Sequence, residues 1–317
     1  MKSILLSALL GPWLTLSACQ HTNREEAGTE SASLQLEASF AGGEDASAFG
    51  DSLLSVCLYT AADSVRIETL LRQNAGENDV LYYARQFLGV PYVGGTLEQA
   101  DPERLVVNLR QLDCTTLVET VCALALTRRQ GSECFADYCA NLMRLRYWHG
   151  QMDGYLSRLH YFTWWMHDNV EKGLLVEVTD SLHCTAPIRV NNHYMSDHPD
   201  KYRFLKAHPE WVDSIARLEQ RYNGDDGFYL PEAATGLDRK ELGFIRDGDL
   251  VAIVTRKAGL DYSHLGFAVW GSDGRLHLLN ASSIHHKVVE EPKTLRQYLC
   301  EHPTSVGVRV FSLSISD

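Results

Sequence analysis

Nowhere in this sequence do lysine and arginine gather into a cluster. The chain carries 29 basic against 41 acidic residues, for a formal charge of −12. A nucleic-acid surface needs concentrated positive charge to hold phosphates, so no nucleic acid is expected as a partner. No C-x-x-C pair occurs, which argues against a zinc ribbon. There is no H-E-x-x-H among the 13 histidines, and their densest group, His277, His285 and His286, repeats no ligand spacing. G-x-S-x-G, P-loop and dinucleotide motifs are missing too. No metal and no organic cofactor is therefore expected. No internal repeat is found, which sets solenoid architectures aside.

Long apolar runs are scarce as well. The one conspicuous stretch, residues 4–16, is short for a membrane span and is broken by Gly11-Pro12. With Lys2 before it and small residues after it, the segment 1–18 reads as a secretory signal. Leu16-Ser17-Ala18-Cys19 resembles a bacterial lipobox, which would make Cys19 a lipidated N-terminus and that lipid the only membrane attachment. A plain signal peptide with a chance cysteine is the alternative. The expected address is the bacterial cell envelope, at the periplasmic face of the outer membrane. Residues 19–50, rich in Glu, Ser, Ala and Gly, read as a solvated tether. Export would permit disulfides among Cys57, Cys122, Cys134, Cys139, Cys184 and Cys300, and the sequence does not choose partners.

The whole chain is 45% apolar, and what remains, 51–317, has enough length for one large domain. Apolar spacing predicts helices over 52–73, 80–88, 115–128, 132–146 and 158–172, and a helical pair over 198–222 interrupted at His208-Pro209. Thr116 and Glu119 form a capping-box pattern at the head of the 115–128 helix. After Pro231 the character changes. Strands are expected at 249–254, 264–270, 276–280 and 306–311, with a short helix at 294–299. Helices first and antiparallel strands afterwards predict an α+β domain.

Cys114 opens the 115–128 helix. A helix N-terminus and a nearby imidazole would hold its thiol as thiolate, while a buried small residue is the plainer reading. In the strand Ser263–Trp270, alternation puts His264, Gly266 and Ala268 on one face and Leu265, Phe267 and Val269 on the other. The small face would admit another element closely and bring His264 to Cys114. Asn280, one strand on, could fix the imidazole tautomer. That requires a three-residue loop pairing Gly271 with Arg275, with Gly274 left-handed. A two-residue loop would turn Asn280 to the opposite face and leave Ser282 as the orienter. The aromatic run Tyr161–Trp165 reads as core, with one ring free for a sugar face.

Taken together, LGVPYVGGT, LDCTTLVE, DGDLVAIV, SHLGFAV and LLNASS resemble, in order, the NlpC-type cell-wall amidases of the papain-like superfamily. The long interval before Asp249 and the YLSRLHYFTWW block resemble the subfamily first catalogued as a domain of unknown function and later recognised as N-acetylmuramoyl-L-alanine amidases. This implies a papain-like core, an antiparallel sheet with a catalytic Cys at a helix N-terminus, and a large mainly helical insertion at about 130–240 within one domain. It also implies the triad Cys114, His264 and Asn280, with Tyr92 near the nucleophile. Asp113, Ser157 and Arg158 join Tyr92 on the substrate and oxyanion side, although Arg158 suits a structural ion pair equally. The expected reaction cuts the bond between the (anhydro-)N-acetylmuramic acid lactyl group and L-Ala of a muropeptide. D-C-T-T stands where the endopeptidases of the superfamily carry D-C-S-G, which fits an acylated rather than a free L-Ala nitrogen. A γ-D-glutamyl-diamino-acid endopeptidase and a non-catalytic muropeptide-binding lipoprotein are the alternatives.

Overall fold

A computed structural model describes residue 50 and residues 52–314. The signal segment, Cys19 and the tether up to residue 49 lie outside the described residues. The first long helix expected, 52–73, is divided in two. A turn of helix at 52–55 is followed by strand β1, Cys57–Leu58, and only then by helix α1, Ala61–Leu71. Thr60 and Asp63 supply a capping box that starts a new helix after the break. Helix α2, Asp79–Arg85, stops short of the expected Leu88. Strand β2, Leu105–Val106, pairs in parallel with β1.

Helix α3, Cys114–Arg129, is the longest. It begins one residue earlier than expected, and its capping box is Asp113 with Thr116 rather than Thr116 with Glu119. Asp113 accepts from the Thr116 backbone N–H at 2.8 Å, and Thr116 Oγ1 accepts from the Asp113 N–H at 2.9 Å. Glu119 is instead turned inward, where Arg146 of helix α4, Phe135–Arg146, meets it at 2.7 Å with both side chains buried. Helix α5, Phe162–Glu171, carries Trp164 and Trp165 into the core, so this aromatic run is packing.

The next segment mixes short helices with strands. It contributes short helices α6, Tyr194–Asp197, α7, Arg203–Ala207, and α8, Val212–Glu219. It also supplies strands β3, Leu175–Val178, β4, Ala186–Arg189, and β5, Asp226–Pro231. Pro187 and Gly227 weaken the strand pattern in the sequence. Pro187 is tolerated because β4 lies at the edge of the sheet.

The remaining elements follow the expected order, with one strand, Lys287–Glu290, that was not expected. They are β6, Leu250–Thr255, β7, Tyr262–Trp270, β8, Leu276–Ser282, β9, Lys287–Glu290, helix α9, Leu295–Cys300, and β10, Ser305–Leu313. The eight-stranded sheet runs β4-β5-β10-β6-β7-β8-β9, with β3 also paired to β10, and all its pairings are antiparallel. The result is a mixed α+β fold. One face of the sheet packs Val251, Ile253, Ala268 and Leu278 against Leu295, Tyr298 and Leu299 of α9. Each described cysteine carries a free thiol.

Candidate active site

The β7–β8 turn decides where Asn280 points. Gly271 N–H donates to Arg275 at 2.9 Å, and Gly274 sits at φ 72°, which makes the loop the three-residue form. The ladder runs from Trp270–Leu276 to Phe267–Leu279, and Asn280 follows on the face of His264. Its Oδ1 lies 2.9 Å from His264 Nε2. Asn280 is fully buried, and its Nδ2 donates to Glu291 Oε1 at 3.2 Å.

The small face of β7 serves a different neighbour from the one expected. A Cβ on Gly266 would come within 2.6 Å of the Leu279 carbonyl and 2.8 Å of a Leu278 methyl. The glycine is therefore required by the adjoining strand. Ala268 packs toward α9, and no α3 side chain joins that cluster. Helix α3 packs against β7 and β8, so it covers the opposite face, that of Leu265 and Phe267.

Cys114 nonetheless reaches the neighbourhood of His264. As the first residue of α3 it is partly buried, and the Leu265 backbone N–H and Thr115 lie near enough to favour its thiolate. Leu265 follows His264 directly, and the β7–β8 ladder stops short of it. The surroundings of the thiol oppose its ionisation. Burial, and then the negative charge of Asp113, push the Cys114 thiol up to about 12, against the pull of Leu265 and Thr115. Burial also lowers the His264 pKa. His302 adds to the lowering, while Asn280, Glu291 and Asp113 oppose it. Both shifts disfavour a preformed thiolate–imidazolium pair.

Tyr92 is fixed beside this pair by the backbone. Its N–H donates to the His286 carbonyl at 3.0 Å, and the residue bridges to Leu112, two positions ahead of Cys114. Burial, then the charges of Cys114 and Asp113, push its hydroxyl up to about 12. Asp113, expected on the substrate side, is the helix cap. Ser157 spends its hydroxyl on a local turn, donating to Gly154 O and accepting from Asp153 N–H. Arg158 is buried and its fork is taken by Glu103, at 2.9 and 2.6 Å, so the structural ion pair replaces the expected grip on a substrate carboxylate.

Sequence reasoning missed two residues here. Glu291 is buried against Asn280, and it sits in V-V-E-E-P, where either glutamate reads as solvated. Tyr298 of α9 lies with its ring 6.3 Å from that of His264 and stacks on His302 at 4.3 Å. Burial raises its pKa, and the charges of Glu291, Cys114 and Tyr92 add to this. A tyrosine in a short amphipathic helix gives no signal beyond core packing.

Comparison with known proteins bears on this geometry. Residues 82–307 match the AmiA-like family model, described as N-acetylmuramoyl-L-alanine amidase-like. An N-acetylmuramoyl-L-alanine amidase from Bacteroides uniformis is 39% identical, over 74% of this chain and 97% of its own, with a TM-score of 0.69. A Bacteroides fragilis protein provisionally named a xylanase is 40% identical, over 73% of this chain and 99% of its own, with a TM-score of 0.68. A Legionella pneumophila protein, 22% identical over 80% of this chain and 93% of its own, shares the fold with a TM-score of 0.62. Comparison with curated protein sequences gives no match.

Proposed function

The chain belongs to the AmiA-like family of N-acetylmuramoyl-L-alanine amidase-like proteins, and from that premise we propose that it hydrolyses the amide between (anhydro-)N-acetylmuramic acid and L-Ala through Cys114, His264 and Asn280 on a papain-like core. The observation that carries this reading is the contact of His264 with Asn280 beside the head of helix α3. The Cys114 thiol lies near enough to the backbone N–H of Leu265, the residue after His264, for that N–H to favour its thiolate, and the far nitrogen of the imidazole lies 2.9 Å from Asn280 Oδ1. Because Asn280 presents its oxygen, His264 carries its proton on Nε2 and keeps a lone pair on Nδ1.

In this reading Cys114 Sγ attacks the lactyl carbonyl carbon as its proton passes to His264 Nδ1. The raised thiol and lowered imidazole make transfer coincide with attack, so that no ion pair stands ready beforehand. The oxyanion is met by the Cys114 backbone N–H, free at the helix start, and by the Tyr92 hydroxyl. Collapse breaks the C–N bond, and His264 returns the proton to the L-Ala nitrogen. Water, deprotonated by His264, then cleaves the thioester and releases the lactyl carboxylate and the thiol.

A sugar-cleaving reading, prompted by the Bacteroides fragilis relative's name, finds less support. Glycoside hydrolysis needs one carboxyl to donate a proton and a second across the bond. Asp113 is committed to its helix cap, and Glu291 to Asn280 and His285. The deciding experiment incubates the wild-type domain and Cys114→Ala with anhydro-muropeptide and weighs the products. Free stem peptide and a peptide-free sugar should come from the wild type alone. A cut within the peptide, or turnover by the variant, would overturn the reading. Residues 1–18 as a secretory signal and a lipidated Cys19 complete the proposal and would set the enzyme at the periplasmic face of the outer membrane. Cys19→Ser should move it from the membrane fraction to the soluble one.

A further inference from the structure

We propose that Glu291 is a positioning residue for the reaction, acting through Asn280 to set the proton location on His264. This rests on the reading of His264 as the base. Glu291 is buried, and each of its carboxylate oxygens has one side-chain partner. Oε1 accepts from Asn280 Nδ2 at 3.2 Å, and Oε2 lies 3.2 Å from His285 Nε2. A carboxylate accepts hydrogen bonds and cannot donate them. It therefore draws the amide's NH₂ toward itself and leaves the amide's oxygen facing His264. That oxygen can only accept, so His264 must donate from Nε2, and the lone pair falls on Nδ1. Asn280 alone cannot enforce this, because a half-turn of its amide would offer a donor to His264 and reverse the tautomer.

His285 holds the other end of the chain. It is 41% exposed and lies in the β8–β9 turn, where the carbonyl of the next residue, His286, also anchors Tyr92. One turn thus fixes both the residue read as an oxyanion donor and the carboxylate behind the triad. His286 sits at φ 56°, a left-handed conformation that a non-glycine residue adopts only when its surroundings impose it. The groups around His264 and Glu291 that bear on titration are Asp113 at the head of α3, Tyr298 of α9, His302 beyond it, and His285. His277 reaches Glu291 only at its backbone carbonyl, 3.1 Å away.

Glu291→Gln and Glu291→Leu separate orientation from charge. The glutamine can still offer its carbonyl to Asn280 but carries no charge, so the His264 titration midpoint should fall while the Nε2–H tautomer persists. The leucine removes the acceptor, so both tautomers should appear, and kcat should fall between about 10- and 100-fold, the range known for outer partners of metal-bound histidines. KM should stay unchanged. The direct readout is ¹⁵N-histidine NMR of Cys114→Ala protein with and without each change, which needs no turnover. A His264 midpoint unmoved by Glu291→Gln would overturn the proposal, and so would a tautomer unmoved by Glu291→Leu. If the leucine variant fails to fold, the glutamine midpoint decides alone. Failure of the wild type to release stem peptide would count against the amidase reading and leave the NMR result standing.

Discussion

Asp113 caps the helix that begins with Cys114, and the same carboxylate opposes ionisation of that thiol. A helix cap is usually considered for stability alone. Here its charge lies one residue from the proposed nucleophile and adds to burial, outweighing the pull of Leu265 and Thr115.

The first prediction concerns pH. The imidazole of His264 lies below its ordinary value of 6.5 because burial disfavours its charge. The acid limb of kcat/KM should therefore fall below pH 6.5. Unfolding takes up a proton at this group, so its contribution to stability is complete above pH 6.5 and declines as pH falls below it. Alkylation of Cys114 by iodoacetamide should rise about tenfold per pH unit from pH 6 to 9 with no acidic plateau. A plateau near pH 6 would mean a preformed thiolate.

Asp113→Asn keeps a cap of equal rank and removes the charge, so stability should change by less than about 0.5 kcal/mol. The thiol pKa should drop and alkylation at pH 7 should quicken. His264 loses a group that raises its pKa, so the acid limb should move lower still. Parallel alkylation and pH–rate profiles on the same preparation check all three.

Gly266→Ala should destabilise the domain by about 1–3 kcal/mol, since the new methyl would meet the Leu279 backbone carbonyl, which cannot swing aside. Urea unfolding measures this. A neutral result would mean that β8 relaxes without loss.

Arg158→Met alone should cost about 3–5 kcal/mol by stranding buried Glu103, and Arg158→Met with Glu103→Leu should recover much of it. If Arg158 instead grips substrate, the double variant would remain stable yet show a raised KM.

The sequence made legible the strands that carry the site. Regular alternation marks β7 and β8, and the glycine at 274 allows the odd loop that sends Asn280 toward His264. The helix start at Cys114 was visible within one residue. Strands β3, β4 and β5 were not, because each is short, Pro187 interrupts β4 at the sheet edge and Gly227 interrupts β5. Nor was the partner of Gly266, since alternation tells which residues share a face and not what lies against it. The roles of Glu119, Arg158 and Glu291 depend on buried partners 27, 55 and 11 residues away, and no local pattern encodes such pairings.

Strand β10 has a consequence for how the chain folds. It is the last strand of the described residues, yet it lies inside the sheet, with β6 on one side and β3 and β5 on the other. Until residues 305–313 arrive, the strands bearing His264 and Asn280, the β4–β5 pair and the lone β3 are not joined into one sheet. Such late, long-range closure makes for slow, cooperative folding. A chain still being synthesised therefore lacks the strand that joins the strands of His264 and Asn280 to those of the inserted segment.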